Sequence, residues 1–259
     1  MFSCGIDIGS VSTESVIVES DGDDIRIAGY DIRPTGASSK DAALLSFERS
    51  LDKAGIDKGK INKIVSTGYG RANVPFAEKN ITEISCHAKG VLSKFEDIRT
   101  IIDIGGQDSK VIKIDGSGIP IDFLMNDKCA AGTGRFLEVM SRAMEIDIKE
   151  FAEIFLNNSG EVNISSTCTV FAESEIVSLI GQGVERPKIV RGLIYSIVSR
   201  IISMVERVGL EEPVSLTGGV AKNLAVVKGL EEKLDTRLLI PEEPQITGAL
   251  GAAIFALKE

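Results

Sequence analysis

Two stretches decide the fold: CGIDIGSVST at Cys4–Thr13 and IIDIGGQDSK at Ile101–Lys110. In each, an apolar run ends in Asp, one apolar residue, Gly and a small residue: Asp7-Ile8-Gly9-Ser10 and Asp103-Ile104-Gly105-Gly106. The glycines let backbone N–H groups approach an anion closely. The aspartates, at strand ends, are placed to hold a divalent cation, directly or through water, between phosphates. One such turn alone is a common hairpin motif. Two, at equivalent places in two repeated units, read as a phosphate clamp.

The surrounding pattern repeats as well. Two strands joined by the first turn lead through DGDD at Asp21–Asp24 to a third strand, IRIAGYDIRP. A helix over Ala42–Ala54 ends at Gly55, a short strand covers Lys63–Thr67, and the loop GYGR follows at Gly68–Arg71. Strands over Arg99–Ile104, Lys110–Ile114 and Ile121–Met125 then restart the series. Helices are predicted at about 134–145, 148–156, 169–181 and 187–208, a buried strand at Val214–Leu216, a strand at Arg237–Ile240 and a final helix from Thr247. Three strands then helices, twice over, is an internal duplication of topology. It places a lobe boundary near Asp97–Thr100, with lobes 1–98 and 99–259. A third turn, Thr217-Gly218-Gly219-Val220-Ala221-Lys222-Asn223, follows the buried strand and opens a helix, which suits a nucleotide's ribose and α-phosphate. Neither a P-loop nor a Rossmann fingerprint occurs.

The composition is that of a soluble globular chain: 259 residues, 43% hydrophobic and 26% charged. The net charge of −9 argues against nucleic acid and anionic membrane as partners. The N-terminus reads as no signal peptide, and no run is long enough to span a membrane. A single histidine, His87, leaves little for a histidine-based metal site; it reads as a packed residue. The four cysteines lack disulfide-framework spacing, which points to a reducing cytoplasm.

Cys129 in NDKCAAGTGRFLEVM and Cys168 in SSTCTVFAESEIVSLI each stand at a helix N-terminus in this reading. A helix N-terminus favours a thiolate and, more so, an anionic iron–sulfur cluster. Two cysteines are half of a four-cysteine set, which a two-fold axis would complete. The alternatives are that both are small buried hydrophobes, or that a cluster forms within one chain and draws in Cys4. Cys4 and Cys86 read as packing residues.

The two Asp-Gly turns, the later T-G-G-x-x-x-N and Gly248-Ala249-Leu250-Gly251-Ala252-Ala253 resemble the actin, hexokinase and heat-shock-chaperone ATPase superfamily. That resemblance implies an α/β fold of two RNase-H-like lobes with an ATP cleft. ATP/ADP and Mg²⁺ would be held by Asp7, Gly9, Ser10, Val11, Ser12, Thr13, Asp103, Gly105, Gly106, Gln107, Gly218, Gly219, Val220, Asn223 and Gly248. Gln107 is the candidate to orient the attacking water, with Asp7 and Asp103 beside it as catalytic residues.

More narrowly, the two cysteine motifs, DIGGQDSKVIKID and ITEISCHAKG resemble the ATP-dependent activators of 2-hydroxyacyl-CoA dehydratases and the related benzoyl-CoA reductase subunits. The resemblance implies a homodimer with one [4Fe-4S] cluster held by Cys129 and Cys168 of both subunits. It implies ATP-driven delivery of a low-potential electron, taken from a ferredoxin or flavodoxin, to a partner iron–sulfur enzyme. One departure stands out. The related pattern D-x-G-S-T-x-[ST]-K becomes Asp7-Ile8-Gly9-Ser10-Val11-Ser12-Thr13-Glu14, and an acid cannot make a lysine's phosphate contact. This leaves the partner open between a dehydratase and a double-cubane cluster reductase. A small-molecule kinase of the same fold and an ATP-binding redox regulator are the competing functions.

Overall fold

The computed structural model describes every residue except Asp23, Ser166, Thr167 and Glu259. Strands β1 (Phe2–Ile8), β2 (Ser12–Asp21) and β3 (Asp24–Pro34) form a meander. Helix α1 (Ser39–Ala54) follows, capped by the Ser38 side chain and stopped by Gly55 at φ 66°. β4 (Ile61–Thr67) lies parallel to β1, a short β5 (Lys79–Asn80) lies parallel to β4, and α2 (Glu83–Leu92) comes next.

The series restarts with β6 (Thr100–Ile104), β7 (Ser109–Ile114) and β8 (Pro120–Asn126). Four helices follow: α3 (Gly134–Met144), α4 (Phe151–Asn157), α5 (Thr169–Gly181) and α6 (Arg186–Val208). The chain ends with β9 (Val214–Thr217), α7 (Leu224–Leu234), β10 (Leu238–Leu239) and α8 (Thr247–Leu257). The sheet orders are β3-β2-β1-β4-β5 and β8-β7-β6-β9-β10. Both sheets are mixed and follow one plan, so the duplication expected from the sequence is present in the topology.

The first sheet shows a two-residue alternation. Cys4, Ile6 and Ile8 pack with Phe47 and Leu51 of α1. The opposite face packs Val16 and Val18 against Ala249, Leu250, Ala253 and Ile254 of α8. On that face β1 presents Ser3, Gly5 and Asp7, and α8 comes down to backbone contact. Ser3 Oγ donates to Ala253 O at 2.7 Å, and an added β-carbon at Gly5 would fall 2.0 Å from Ala249 O. Helix α2 touches α8 as closely: an added β-carbon at Gly251 would fall 1.8 Å from Cys86 O, and one at Gly90 1.9 Å from Thr247 O. The small-residue run TGALGAA is therefore a requirement of a helix pressed on both sides.

By contact density the chain forms two compact units. One comprises Met1–Ile101, Ile112–Asp122 and Pro241–Glu259; the other comprises Ile102–Val111 and Phe123–Ile240. A boundary at 98/99 follows the repeat of strands along the chain. The contact division follows packing, and it returns α8 to the first sheet. The core of the second unit is built around α6, whose Ile189, Leu193, Ile197, Ile201 and Met204 recur at helical spacing and are fully or almost fully buried. Among the described residues, no helix is long and apolar enough to cross a membrane.

The α2–α8 contact gives a stability test. Gly251→Ala should destabilise the protein by about 2–3 kcal/mol, the usual cost of overpacking against rigid neighbours. Gly181→Ala, where an added β-carbon meets nothing within 4 Å, should be close to neutral. Urea denaturation of the two variants checks this, and equal midpoints would contradict the packing.

Candidate functional site

The second acidic turn lies in the second unit. Asp103 sits near the end of β6 with its carboxylate buried. Thr217 Oγ1, at the end of β9, donates to Asp103 Oδ1 at 2.8 Å, and Lys110 Nζ on β7 lies 3.2 Å from Oδ2. Lys110 also pairs with Asp108. Gly105 N donates to Asp108 O at 2.9 Å and closes the turn, leaving Gln107 exposed. Gly218 adopts φ +84°, and a β-carbon there would fall 2.3 Å from Ile104 O and 3.0 Å from Asp103 Oδ1. Glycine is needed here for both the left-handed backbone and the close approach. Gly219–Lys222 forms a short 3-10 turn that includes Val220, and Asn223 caps α7 by accepting from Ala225 N and Val226 N.

The first turn lies in the first unit and has the same construction. Gly9 N donates to Ser12 O at 2.9 Å, as Gly105 does to Asp108. Asp7 is paired with Thr67 across the parallel β1–β4 register. Gly68 follows at φ +85°, and a β-carbon there would fall 2.2 Å from Asp7 Oδ1 and 2.7 Å from Ile8 O. Gly248, at the start of α8, encloses the other side, 2.0 Å from Asp7 Oδ2 by the same measure. Ser10 is exposed, and Val11 O accepts from Thr35 N. Thr13 is buried, its hydroxyl on Thr35 at 2.9 Å, and Thr35 in turn donates to Gly9 O at 2.8 Å. Thr13 therefore shapes the turn from behind.

The structure thus gathers Asp7, Gly9–Thr13 and Gly248 in one unit, and Asp103, Gly105–Gln107, Gly218–Val220 and Asn223 in the other. The Thr-Gly pair Thr67-Gly68, the counterpart of Thr217-Gly218, was read from the sequence only as a strand end and a loop. Its signal was the dipeptide TG after an apolar strand, present in both halves.

The four cysteines separate by environment. Cys4 and Cys86 are buried, and desolvation pushes each thiol up to about 12. Cys129 is partly exposed and Cys168 exposed. Cys168 is the N-cap of α5, as expected. Cys129 is not at a helix terminus: it lies in the loop before α3, whose N-cap is Thr133. Asn126 Nδ2 holds that loop through Cys129 O at 2.8 Å and Ala131 O at 3.1 Å. α3 is fastened to the second acidic turn: Gly134 N donates to Gly105 O at 2.9 Å and Arg135 N to Gly106 O at 2.8 Å.

Residues 4–256 match the profile of the BadF/BadG/BcrA/BcrD ATPase family. The chain belongs to this family. An activator of lactoyl-CoA dehydratase from Anaerotignum propionicum is 48% identical over 256 residues, 99% of this chain and 97% of the relative. The solved activator of the 2-hydroxyisocaproyl-CoA dehydratase from Clostridium difficile, with bound ADPNP, is 45% identical. It superposes with a TM-score of 0.91 over 100% of this chain and 95% of its own. A ROK family glucokinase from Streptomyces griseus, in complex with glucose and AMPPNP, shares the fold alone: TM-score 0.61 at 13% identity, over 100% of each chain. The fold is thus the actin/hexokinase-like ATPase fold, and an acidic turn with a Thr-Gly pair occurs in each half of the chain, one to each sheet.

Thiol chemistry separates the cysteines of this family member directly. At pH 8 a thiol of pKa about 12 is ionised to about one part in ten thousand. In metal-free folded protein, iodoacetamide should therefore modify Cys129 and Cys168, and reach Cys4 and Cys86 only after denaturation. Peptide mass mapping checks this; rapid modification of Cys86 in the folded state would contradict the burial.

Proposed function

We propose that the protein is an ATP-hydrolysing electron-transfer activator. It would work as a homodimer and deliver a low-potential electron from a dimer-bridging [4Fe-4S] cluster to a partner iron–sulfur enzyme, a 2-hydroxyacyl-CoA dehydratase or a double-cubane cluster reductase. Its donor would be a ferredoxin or flavodoxin, and its place the cytoplasm. The observation that carries this reading is the pair of backbone hydrogen bonds tying α3, the helix after the Cys129 loop, to Gly105 and Gly106. A change at a phosphate on that turn has a two-bond path to the cysteine loop. The whole-length likeness to dehydratase activators, one of them with bound ADPNP, supports both ends of the path.

In this reading the backbone of Gly9–Thr13 and of Gly105-Gly106 binds phosphate. Gly218, Gly219, Val220, Asn223 and Gly248 form the nucleoside side, and Asp7 and Asp103 hold Mg²⁺ through water. Gln107, exposed on the second turn, orients the attacking water. Cys129 and Cys168 fit the cluster: both are accessible thiols, and Cys168 stands at a helix N-terminus. Beside Cys168, Thr169 Oγ1 is buried and has no hydrogen-bond partner among the described residues. A buried hydroxyl in that state suits an anionic sulfur acceptor. When bound, the cluster supplies one-electron chemistry at low potential.

Three outcomes test the reading. Anaerobically purified protein should carry about four irons per dimer, lost in Cys129→Ser and in Cys168→Ser and kept in Cys86→Ser. Gln107→Ala should bind ATP normally and hydrolyse it about a hundredfold more slowly. Gly134→Pro removes one N–H of the α3 link at a position where proline is tolerated, after a Thr133 already extended at φ −130° and ψ 170°. The wild-type cluster's EPR signal should differ between the ADP and ADP–aluminium-fluoride forms, and this variant should shrink the difference. A wild-type cluster indifferent to nucleotide would refute the coupling.

A further inference from the structure

The single histidine, His87, sits on α2 in the stretch ITEISCHAKG and is 6% exposed. Its helix is fixed against α8 on either side of it, by the close approach of Cys86 O to Gly251 and of Thr247 O to Gly90. The ring is held as well. Nδ1 lies 3.3 Å from Thr247 Oγ1, and the same hydroxyl donates to Pro244 O at 3.3 Å. A hydroxyl has one hydrogen and a carbonyl only accepts, so that hydrogen goes to Pro244 and Nδ1 donates to Oγ1. Nε2, on the other side of the ring, faces Gly248. An added β-carbon at Gly248 would fall 3.2 Å from His87 Nε2 and 2.0 Å from Asp7 Oδ2. The ring nitrogen and the carboxylate oxygen thus meet at one point on the α8 backbone.

The second turn shows what such a carboxylate requires. Asp103 Oδ1 is on the Thr217-Gly218 side, and Oδ2 is held by the buried Lys110, seven residues on. Asp7 is laid out in the same way. Its Oδ1 is on the Thr67-Gly68 side, 2.2 Å from an added β-carbon at Gly68, and its Oδ2 is on the Gly248 side. The residue seven positions after Asp7 is Glu14, whose side chain has no N–H to donate. The nitrogen that faces Oδ2 comes instead from α2. A basic group therefore stands by the same carboxylate oxygen in both halves, a lysine from the neighbouring strand in one and a histidine from a helix in the other.

We propose that His87 is the positioning residue of Asp7: its Nε2 bonds Asp7 Oδ2 and fixes the carboxylate, as Lys110 fixes Asp103. Oδ2 and Nε2 hold one proton between them, and Thr247 sets the ring that presents Nε2. A carboxylate kept in one orientation by a locked neighbour is already placed when its ligand arrives. This role deepens the ATPase reading, on which it rests for what Asp7 does; the contact between His87 and Asp7 stands apart from that reading.

The test has two arms on the full-length protein. With one histidine in the chain, long-range ¹H–¹⁵N spectra show a single imidazole. At one fixed pH and without nucleotide, Asp7→Asn should move the Nε2 resonance much further than that of Nδ1; an unmoved Nε2 overturns the contact. The second arm measures ATP hydrolysis by two variants. Asparagine places its amide where Nδ1 stands and can keep only the Thr247 bond, whereas glutamine reaches the Nε2 position and can keep only the Asp7 bond. His87→Asn should lower kcat about tenfold or more with KM for ATP within about twofold, which marks lost positioning and not lost binding. His87→Gln should run about fivefold faster than His87→Asn. Equal rates for the two, or a faster His87→Asn, would show that the histidine only packs against Thr247, and would overturn the role. Circular dichroism checks that the variants are folded, and either arm decides if a variant of the other fails to fold. A wild type that hydrolyses no ATP sinks the ATPase reading and leaves the contact to be decided by the spectrum.

Discussion

A carboxylate at the buried end of a central strand must be enclosed by something, and around Asp7 and Asp103 part of the enclosure is glycine backbone. Gly68 and Gly248 stand where any side chain would strike Asp7, and Gly218 stands where one would strike Asp103 and Ile104. This constraint explains why turns far apart in sequence carry glycine at matched places. It also explains why the first residues of α8 are small. The helix closes the Asp7 pocket with Gly248, meets β1 at Gly5 and meets α2 at Gly251, and at each contact backbone atoms replace side chains. A β-carbon at Gly248 would strike the Asp7 carboxylate, and one at Gly5 or Gly251 would push α8 off β1 or α2.

The same economy of side chains appears on the other half. Thr217 and Lys110 hold the two oxygens of Asp103, so that carboxylate is oriented and compensated by residues of its own sheet. Buried charges persist only when paired in this way. In the first half Glu14 stands opposite Asp7, seven residues on, where the second half has Lys110 seven residues after Asp103. Duplication supplies the frame; the residue on the neighbouring strand differs.

The link from the second acidic turn to the cysteine loop is shorter than the chain suggests. The strands between Asp108 and Asn126 lead from one to the other in sequence. The direct bonds from Gly134 N and Arg135 N to the Gly105 and Gly106 carbonyls bypass them. A helix N-terminus has unpaired N–H groups, and the carbonyls of a tight glycine turn are suitable acceptors.

Much was legible in the sequence because it is local chemistry. The strand-Asp-x-Gly turns, the helices read over 42–54, 134–145, 169–181 and 187–208 and found within three residues of those bounds, and the likeness of the two halves depend on periodicity and turn residues within short windows. The placement of Cys168 at a helix start was of this kind. Cys129 was not: the helix starts at Gly134 as read, but Cys129 lies four residues before its N-cap Thr133, in a loop whose Cys129 and Ala131 carbonyls are held by Asn126. The two-residue β5 was missed because its pairing comes from β4 and not from its own residues. Tertiary structure alone decided which Thr-Gly pair flanks which aspartate, and that α8 returns from the chain's end to wall the first turn. Register between strands and the approach of one backbone to another depend on residues tens to hundreds of positions apart, and no short window of sequence contains both partners.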